Sequence, residues 1–589
     1  MRSELSRWNL LAALALLAVA ALHFASVPRT IWEFDESYFA YGVERYEPLQ
    51  HHPPPPGYPL YMGFAKLVPG NSFNALLATS ILALLAGLAA WFFAFRELSD
   101  ERTAVVATVL LYACPALLIS GTLPQSDAGA VALFGLAVWA CARGNPLWMA
   151  IACAAAIGWR LQFSIAIVPM FLVAVLLLRS WRARFIAVGV FGAACLAWFV
   201  PLVLAAGGPP SYWKWLSGQA AYYAAHDADL SRSGHSASHI ALRFIAHPWG
   251  PKWLALPLLL CALYGVRRPQ SPLSLRTEPP RDPDASESGD CGHRTPYPLL
   301  AGCLGYLAFA LWSMDPADAV RYAIPSLPIV AFLAARGLRR VPAAAILYVV
   351  GAYWYASPVL RVRATTPAPP AAAAAWIQAN VPKQTIVLFD MTLAPHASYL
   401  LREYKTMRID AGLARYGGSE TPMVIYADGE RGSAPGVTFR WPDTDAYRKL
   451  TRQHYGAVSV IPLPLSQRYR VVEGVHAPER RRDGKAWRWL GARGVLELPH
   501  RRGSHVRVTL RTPPEYPLDA NRVNVNGTIV DIKRDQTVGV VVPFAERIVI
   551  TAERTFVPAR IRGANNRDAR TLSVMLTSVE QLDGPPAGG

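Results

Sequence analysis

Up to about residue 360 the hydrophobic positions of the chain come in long runs separated by short polar stretches; beyond that point they come in short runs and then in strict alternation. The runs fall at Trp8 to Ser26 and at about 73–95, 103–121, 127–143, 146–158, 162–178, 185–205, 251–266, 297–313, 322–338 and 341–357. A helix of about 20 apolar residues spans the roughly 30 Å of a bilayer's hydrocarbon core, so the pattern predicts a polytopic α-helical membrane protein with about eleven transmembrane helices. The stretch 146–158 is short for a span, and losing any one span inverts everything after it. No small-residue cleavage site follows Ala25, so the first run reads as a span and not as a removed signal.

The tail reads differently. PAPPAAAAAW leads into a helix at about 370–380, TIVLFD is a buried-type strand, and ASYLLREY has a helical period, which together predict a small α/β unit. The charged run ERRRDGK at 479–485 reads as a solvated boundary. From about 488 the period is two: HVRVTLRT puts Val506, Val508 and Leu510 on one face, Asn526-Gly527 marks a hairpin turn, and ERIVITA and TLSVMLTSV continue the alternation, as in a β-sandwich. The expected domains are therefore a transmembrane region over 1–360, an α/β domain over 361–480 and a β-sandwich over 481–589.

Composition supports the membrane class. Of 589 residues 53% are hydrophobic and 17% charged, and the mean hydropathy is +0.22, too apolar for an ordinary soluble protein of this length. The net charge of +18 raises the idea of nucleic acid, but the arginines of the apolar region sit in alternate loops. Arg96 and Arg102, then Arg179, Arg182 and Arg184, then Arg267, Arg268, Arg276, Arg281 and Arg294, then Arg336, Arg339 and Arg340 all fall on one side of an eleven-span topology. Orientation in a bilayer is the simpler cause, with those loops in the cytoplasm, the tail outside and no nucleic-acid partner. The 267–296 loop, rich in Pro, Ser and Asp, reads as a disordered connector. All seven cysteines precede the tail, so the tail's cores hold without disulfides.

With that topology the unusual polar residues gather at the outer face. The first outer loop holds Asp35, Glu36, His51, His52 and Tyr58 within WEFDESYFAYGVERYEPLQHHPPPPGYPLYM; the second, TLPQSD, ends on Asp127; the third, GWRLQ, carries Arg160; and a later one, MDPADAVRYAIP, brings Asp315, Asp318, Arg321 and Tyr322. Adjacent carboxylates beside a bilayer point to binding or chemistry. Plainer readings stand beside these. Asp127 also suits a helix N-terminus, Arg160 also suits snorkelling to headgroups, and Arg321 with Tyr322 also suits an interfacial anchor. The four histidines of the 207–250 loop lack tight metal-ligand spacing, although His235 and His239 are four apart, and read as solvated loop histidines before a zinc site. GGPP at 207–210 and GARG at 491–494 read as turns. No glycine-rich phosphate loop follows a strand, and no cytoplasmic domain is present to hold a nucleotide sugar, which leaves a lipid-linked donor.

The Asp-Glu pair after the first span, HHPPPPGYPLYM, PQSD, GWRLQ and RYAIPSLP, in that order over residues 1–360, resemble the GT-C superfamily of membrane glycosyltransferases, in particular its protein O-mannosyltransferase-like and aminoarabinose-transferase-like branch. The resemblance implies a polyprenyl-phosphate-sugar donor of the undecaprenyl type and a site at the outer membrane boundary. By it, Asp35 is the general base, Glu36 a second acid or metal ligand, and Asp127 the acid of the second outer loop. Arg160, Arg321 and Tyr322 lie on the donor phosphate, and His51, His52 and Tyr58 on substrate. Two histidines stand where the family has one before the prolines, so which is equivalent stays open. A Mg or Mn ion at Asp35, Glu36 and Asp127 is optional. FVPARIRGANNRDARTLSVML further resembles the end of jelly-roll, carbohydrate-binding-like domains appended to some bacterial membrane glycosyltransferases.

The chemistry makes the same demand. Moving a sugar off a phosphate carrier requires deprotonating an acceptor hydroxyl or amine and stabilising charge on the departing phosphate, which one carboxylate and one or two fixed cations supply. Arginine fits phosphate through two parallel hydrogen bonds. The expectation is an inverting glycosyltransferase in the cytoplasmic (inner) membrane, acting on an extracytoplasmic glycan, lipid or protein acceptor. The alternative is a glycolipid or lipid-linked sugar transporter with an external glycan-binding domain, which would need polar residues deep within several spans.

Overall fold

A computed structural model of the protein describes residues 2–226, 236–267, 296–313, 319–432, 434–451, 456–480, 485–561 and 568–584. Asp315, Asp318, His235, Cys291 and nearly all of the expected 267–296 connector lie outside the described residues. The chain divides into two units, one of Met1–Pro367 with Pro442–Gln453, the other of Ala368–Trp441 with His454–Gly589.

The first unit is helical. Its elements are α1 (Arg2–Phe24), α2 (Phe34–Glu44), α3 (Pro59–Leu67), α4 (Ser72–Leu98), α5 (Glu101–Ala113), α6 (Pro115–Ser120), α7 (Asp127–Ala142), α8 (Pro146–Trp159) and α9 (Ser164–Leu177). They continue with α10 (Trp181–Ala205), α11 (Pro209–His226), α12 (Ala237–Ile245), α13 (Lys252–Arg267), α14 (Tyr297–Ser313), α15 (Ala319–Tyr322), α16 (Leu327–Gly337) and α17 (Ala343–Thr365). Among the described residues three helical stretches are long and apolar enough to cross a membrane alone, Ser72–Leu98, Trp181–Ala205 and one within Ala343–Asn380; a fourth is counted if the bent pair Ser238–Trp249 and Lys252–Arg267 is one span. The remaining apolar helices have 10–17 residues, and at 1.5 Å per residue a 14-residue helix covers only about 21 Å.

Prolines explain much of the difference from the expected runs. Pro115 forces Cys114 into an extended conformation and splits the 103–121 run into α5 and α6. Pro325 and Pro328 lie in and just after a 3-10 turn, Ile324–Ser326, that breaks the 322–338 run into α15 and α16. The first outer loop is itself structured, because α2 and α3 pack in it: Phe39 meets Tyr58 and Tyr61 edge-on at 4.9 and 5.4 Å.

The second unit begins with α18 (Pro369–Asn380) and a five-stranded sheet of β1 (Ile386–Phe389), β2 (Lys405–Arg408), β3 (Met423–Asp428), β4 (Val437–Arg440) and β5 (Ala457–Pro462). The strand order is β2-β1-β3-β5-β4, with β1 parallel to β2 and β3 and the other pairs antiparallel. Between these strands run α19 (Ala394–Leu400) and α20 (Ile409–Tyr416), and Ile386, Leu388, Ile409, Leu413 and Met423 form a core. Eight more strands follow: β6 (Arg470–Arg480), β7 (Ala486–Glu497), β8 (His505–Arg511), β9 (Ala520–Val525), β10 (Thr528–Lys533), β11 (Thr537–Pro543), β12 (Arg547–Ala552) and β13 (Met575–Leu582).

These eight make one sheet, ordered β10-β9-β12-β7-β13-β8-β11 with β6 on β7. The 12-residue β7 links the two parts of the sheet: its C-terminal half pairs with β12 and its N-terminal half with β13. The sheet folds over on itself, since Ile532 near one edge and Val540 and Val542 near the other share a single core. Alternation in β8 buries Val506, Val508 and Leu510 as its sequence requires, and Asn526-Gly527 (φ 46° and 92°) turns β9 into β10. The ERRRDGK run does not divide two domains. It joins β6 to β7 within one sheet, so the sheet begins at Arg470 and not at 481, with residues 481–484 outside the described ones.

Candidate active site

Helix α7 starts at Asp127 and α8 ends at Trp159, and the two are antiparallel neighbours joined by a tight turn in which Gly144 takes a φ of 65°. The start of one is thereby level with the end of the other. A second glycine seals the pair: a Cβ on Gly129 would lie 2.2 Å from the Trp159 ring, and with only hydrogen there the indole rests on α7 and donates from Nε1 to Ser126 O at 3.1 Å. Arg160, the extended residue that follows α8, is thus delivered to the N-terminus of α7. Its Nη1 lies 2.8 Å from Asp127 Oδ1 and 3.1 Å from Ser126 Oγ, and its Nη2 donates to Gln162 Oε1 at 3.3 Å.

The other oxygen of Asp127 is also taken. Arg321, on the short α15, reaches Asp127 Oδ2 through Nε at 3.2 Å and Asp35 Oδ2 through Nη1 at 3.2 Å. Four side chains from four separate segments therefore form one row, Asp35–Arg321–Asp127–Arg160, with alternating charge and a net charge of zero. Exposure rises along it: the Asp127 and Arg160 side chains are 3% and 4% exposed, Arg321 20% and Asp35 25%. The buried end is a fixed ion pair at a helix N-terminus, which favours the carboxylate. The open end presents a guanidinium and a carboxylate that uses one oxygen.

Glu36 is not in the row, although it follows Asp35 directly. Successive helical residues point about 100° apart, and while Asp35 faces out, Glu36 is fully buried. Its Oε2 accepts from the Trp32 backbone N–H at 2.8 Å and its Oε1 from Gln125 Nε2 at 3.3 Å. Burial, with the charge of Glu33 adding to it, raises its pKa from 4.5 to about 8. The expected use of Glu36 as a second acid beside Asp35 thus gives way to a brace that ties the start of α2 to the second loop. Asp35, Glu36 and Asp127 form no common ligand set either: Arg321 fills the gap between the two aspartates, and no cluster of three or more His, Cys, Asp or Glu side chains suited to a metal occurs among the described residues.

The remaining expected residues divide. Tyr58 lies in the electrostatic surroundings of all four charges, and burial raises its pKa, so its phenol stays protonated. Tyr322 adds to the field on Arg321. His51 and His52 face elsewhere: His52 stacks on Tyr41 at 4.4 Å, both lie about 6 Å from Tyr38, and His51 hydrogen-bonds Gln219 of α11. Burial lowers the pKa of both.

Sequence reading missed a second cluster behind the row. Arg363, near the end of α17, is 1% exposed; its Nη1 donates to Ile119 O at 2.9 Å and its Nη2 lies 3.7 Å from Glu33 Oε1. Among the described residues Nε and Nη2 find no hydrogen-bond partner. A cavity of about 30 Å³, room for a water, is lined by Arg363, Glu33, Gln125, Ser120, Thr451 and Arg321. The available signal was helical spacing, since Arg363 continues the buried face of Ala356, Val359 and Leu360. Tyr306 of α14, which lies in the field of Arg160, Asp127 and Arg321, had no signal within its apolar run.

The sequence matches no protein-family model and no curated protein. The fold does have solved relatives. ArnT from Cupriavidus metallidurans bound to undecaprenyl phosphate superposes with a TM-score of 0.51 at 13% identity, over 78% of this chain and 98% of that one. The apo state of the same ArnT gives 0.50 at 12%, over 79% and 99%. The Archaeoglobus fulgidus oligosaccharyltransferase in the apo form gives 0.43 at 10%, over 92% and 94%. A helical N-terminal region followed by a β-rich C-terminal one, with likeness to ArnT over nearly the whole of that chain, shows that this protein shares the ArnT fold.

Proposed function

We propose that the protein is a membrane glycosyltransferase that moves a sugar from a polyprenyl-phosphate donor to an acceptor outside the cytoplasmic membrane. The observation that carries the reading is the Asp35–Arg321–Asp127–Arg160 row, buried at one end and open at the other. The fold shared with an ArnT bound to undecaprenyl phosphate supports the donor class.

In this reading Arg321 meets the donor phosphate with the fork of its guanidinium. Asp127 holds Arg321 in place and is itself held by Arg160, so Arg160 acts through Asp127. Phosphate at Arg321 competes with Asp35 for the same donors and releases that carboxylate, which then takes the proton of the acceptor hydroxyl or amine. The acceptor atom forms its bond to the anomeric carbon opposite the phosphate. The carbon–oxygen bond to phosphate breaks with its electron pair going to phosphate, and the anomeric configuration inverts. Tyr58 supplies a neutral O–H donor beside the reacting groups. The same reading keeps eleven spans, with the arginine-rich loops inside and the second unit outside.

The test is purified protein in vesicles loaded with radiolabelled polyprenyl-phosphate sugars. Label leaving the lipid for an acceptor, in product of inverted anomeric configuration, is the expected result. Label that crosses the bilayer still attached to its lipid would instead make the protein a transporter.

A further inference from the structure

The second unit holds a cavity of about 290 Å³ between α20 and the bulged strand β6, with Asp410, Leu413, Ala414, Tyr469, Val475 and Arg488 on its walls. The register of β6 on β7 slips three times between Val471 and Pro478, and such bulges lift a strand from its partner and re-aim its side chains. At the cavity Arg488, 5% exposed, lies with Nη2 2.6 Å from Asp410 Oδ1 and donates from Nη1 to His476 O at 3.2 Å. Asp410 Oδ1 is buried, although the side chain as a whole is 42% exposed, and among the described residues it has this charge contact without a well-directed hydrogen bond.

A buried arginine would draw an anion, but Asp410 already neutralises it, so the cavity favours a neutral occupant. One wall offers aliphatic carbon and the Tyr469 ring; the other offers a carboxylate and a guanidinium side by side, acceptor and donors together. An occupant must be apolar on one face and carry adjacent hydroxyls on its edge. The size is at the low end for ligand pockets, enough for one ring and not for an extended chain. We infer that this cavity binds a single neutral sugar ring, its C–H face on Tyr469 and Val475 and two vicinal hydroxyls bridging Asp410 and Arg488. That the ring belongs to the acceptor glycan rests on the transferase reading above; the preference for a neutral polyol does not.

The experiment is saturation-transfer NMR on the full chain in nanodiscs with the methyl glycosides of mannose, glucose, galactose and arabinose, and methyl glucuronide as the anionic control. At least one neutral glycoside binds saturably, and Tyr469→Ala and Asp410→Asn each weaken it by about tenfold or more. Ala477 also lines the cavity and is exposed, so Ala477→Trp fills the cavity from its rim without touching the core, and abolishes binding in a protein that elutes and melts as wild type. Asp35→Asn leaves binding intact, so loss of transfer with retained binding tells against the catalytic reading alone. Absence of saturable binding to all four neutral glycosides, tighter binding of the glucuronide, or wild-type binding by Ala477→Trp would overturn the sugar site.

Discussion

Asp35 and Glu36 are neighbours in sequence and opposites in environment, and the contrast yields two outcomes. Glu36 holds its proton up to about pH 8 in the folded state but only to about 4.5 when unfolded. The folded state therefore binds more protons between these values, and stability falls as pH rises through that window, by up to about 1.4 kcal/mol per pH unit. Glu36→Gln removes that dependence: melting of the purified protein from pH 5 to 8 shows a shallower decline in the variant, and transfer at neutral pH stays near wild type. Parallel melting curves for the two proteins would contradict the assignment. Asp127 behaves differently, because removing its charge leaves Arg160 buried and unpaired. Asp127→Asn costs about 3–5 kcal/mol, whereas Asp35→Asn at the open end shifts stability by less than about 1 kcal/mol, both read from melting temperatures. Asp35, Asp127, Arg160 and Arg321 were each legible in the sequence as charges at the edges of apolar runs. That they form one row was not, since residues up to 286 positions apart meet only through helix packing. That Glu36 turns inward while Asp35 faces Arg321 was not legible either, because sequence adjacency says nothing about which way each side chain of a helix turn faces.

At the scale of elements the site depends on the α7–α8 hairpin. Gly129→Ala drives a methyl into the Trp159 ring, and such overpacking costs about 1–3 kcal/mol. The displaced indole carries Arg160 with it, so transfer falls at least tenfold in kcat. A variant that melts and turns over like wild type would show that this contact does not set the position of Arg160. Periodicity found most helices of the first unit, the buried strand β1 and the alternation of β8. It overran at Pro115, Pro325 and Pro328, where hydrophobicity continues but the backbone cannot, and it placed a boundary at 479–485 because a charged run looks the same between two paired strands as between two domains.

For the whole molecule, the orientation proposed above rests on arginine placement. Ile529→Cys, 63% exposed on β10, reacts with a membrane-impermeant maleimide in intact cells, and Arg182→Cys, exposed at the start of α10, reacts only after permeabilisation. The reverse pattern would invert the topology and put the charged row on the cytoplasmic side. The division into a long apolar region and a cysteine-free tail was plain from composition, while the two-unit split at 367, with Pro442–Gln453 returning to the first unit, was not, because no local signal marks a segment that crosses back. The decisive measurement is single-turnover transfer from a polyprenyl-phosphate sugar by wild type and Asp35→Asn, with donor affinity measured on the same preparations. Asp35→Asn binds donor at least as tightly as wild type, because Arg321 is no longer contested, and transfers about 10²–10⁴-fold more slowly. Equal transfer rates, or a variant that fails because it no longer binds donor, would contradict Asp35 as the base at the open end of the row.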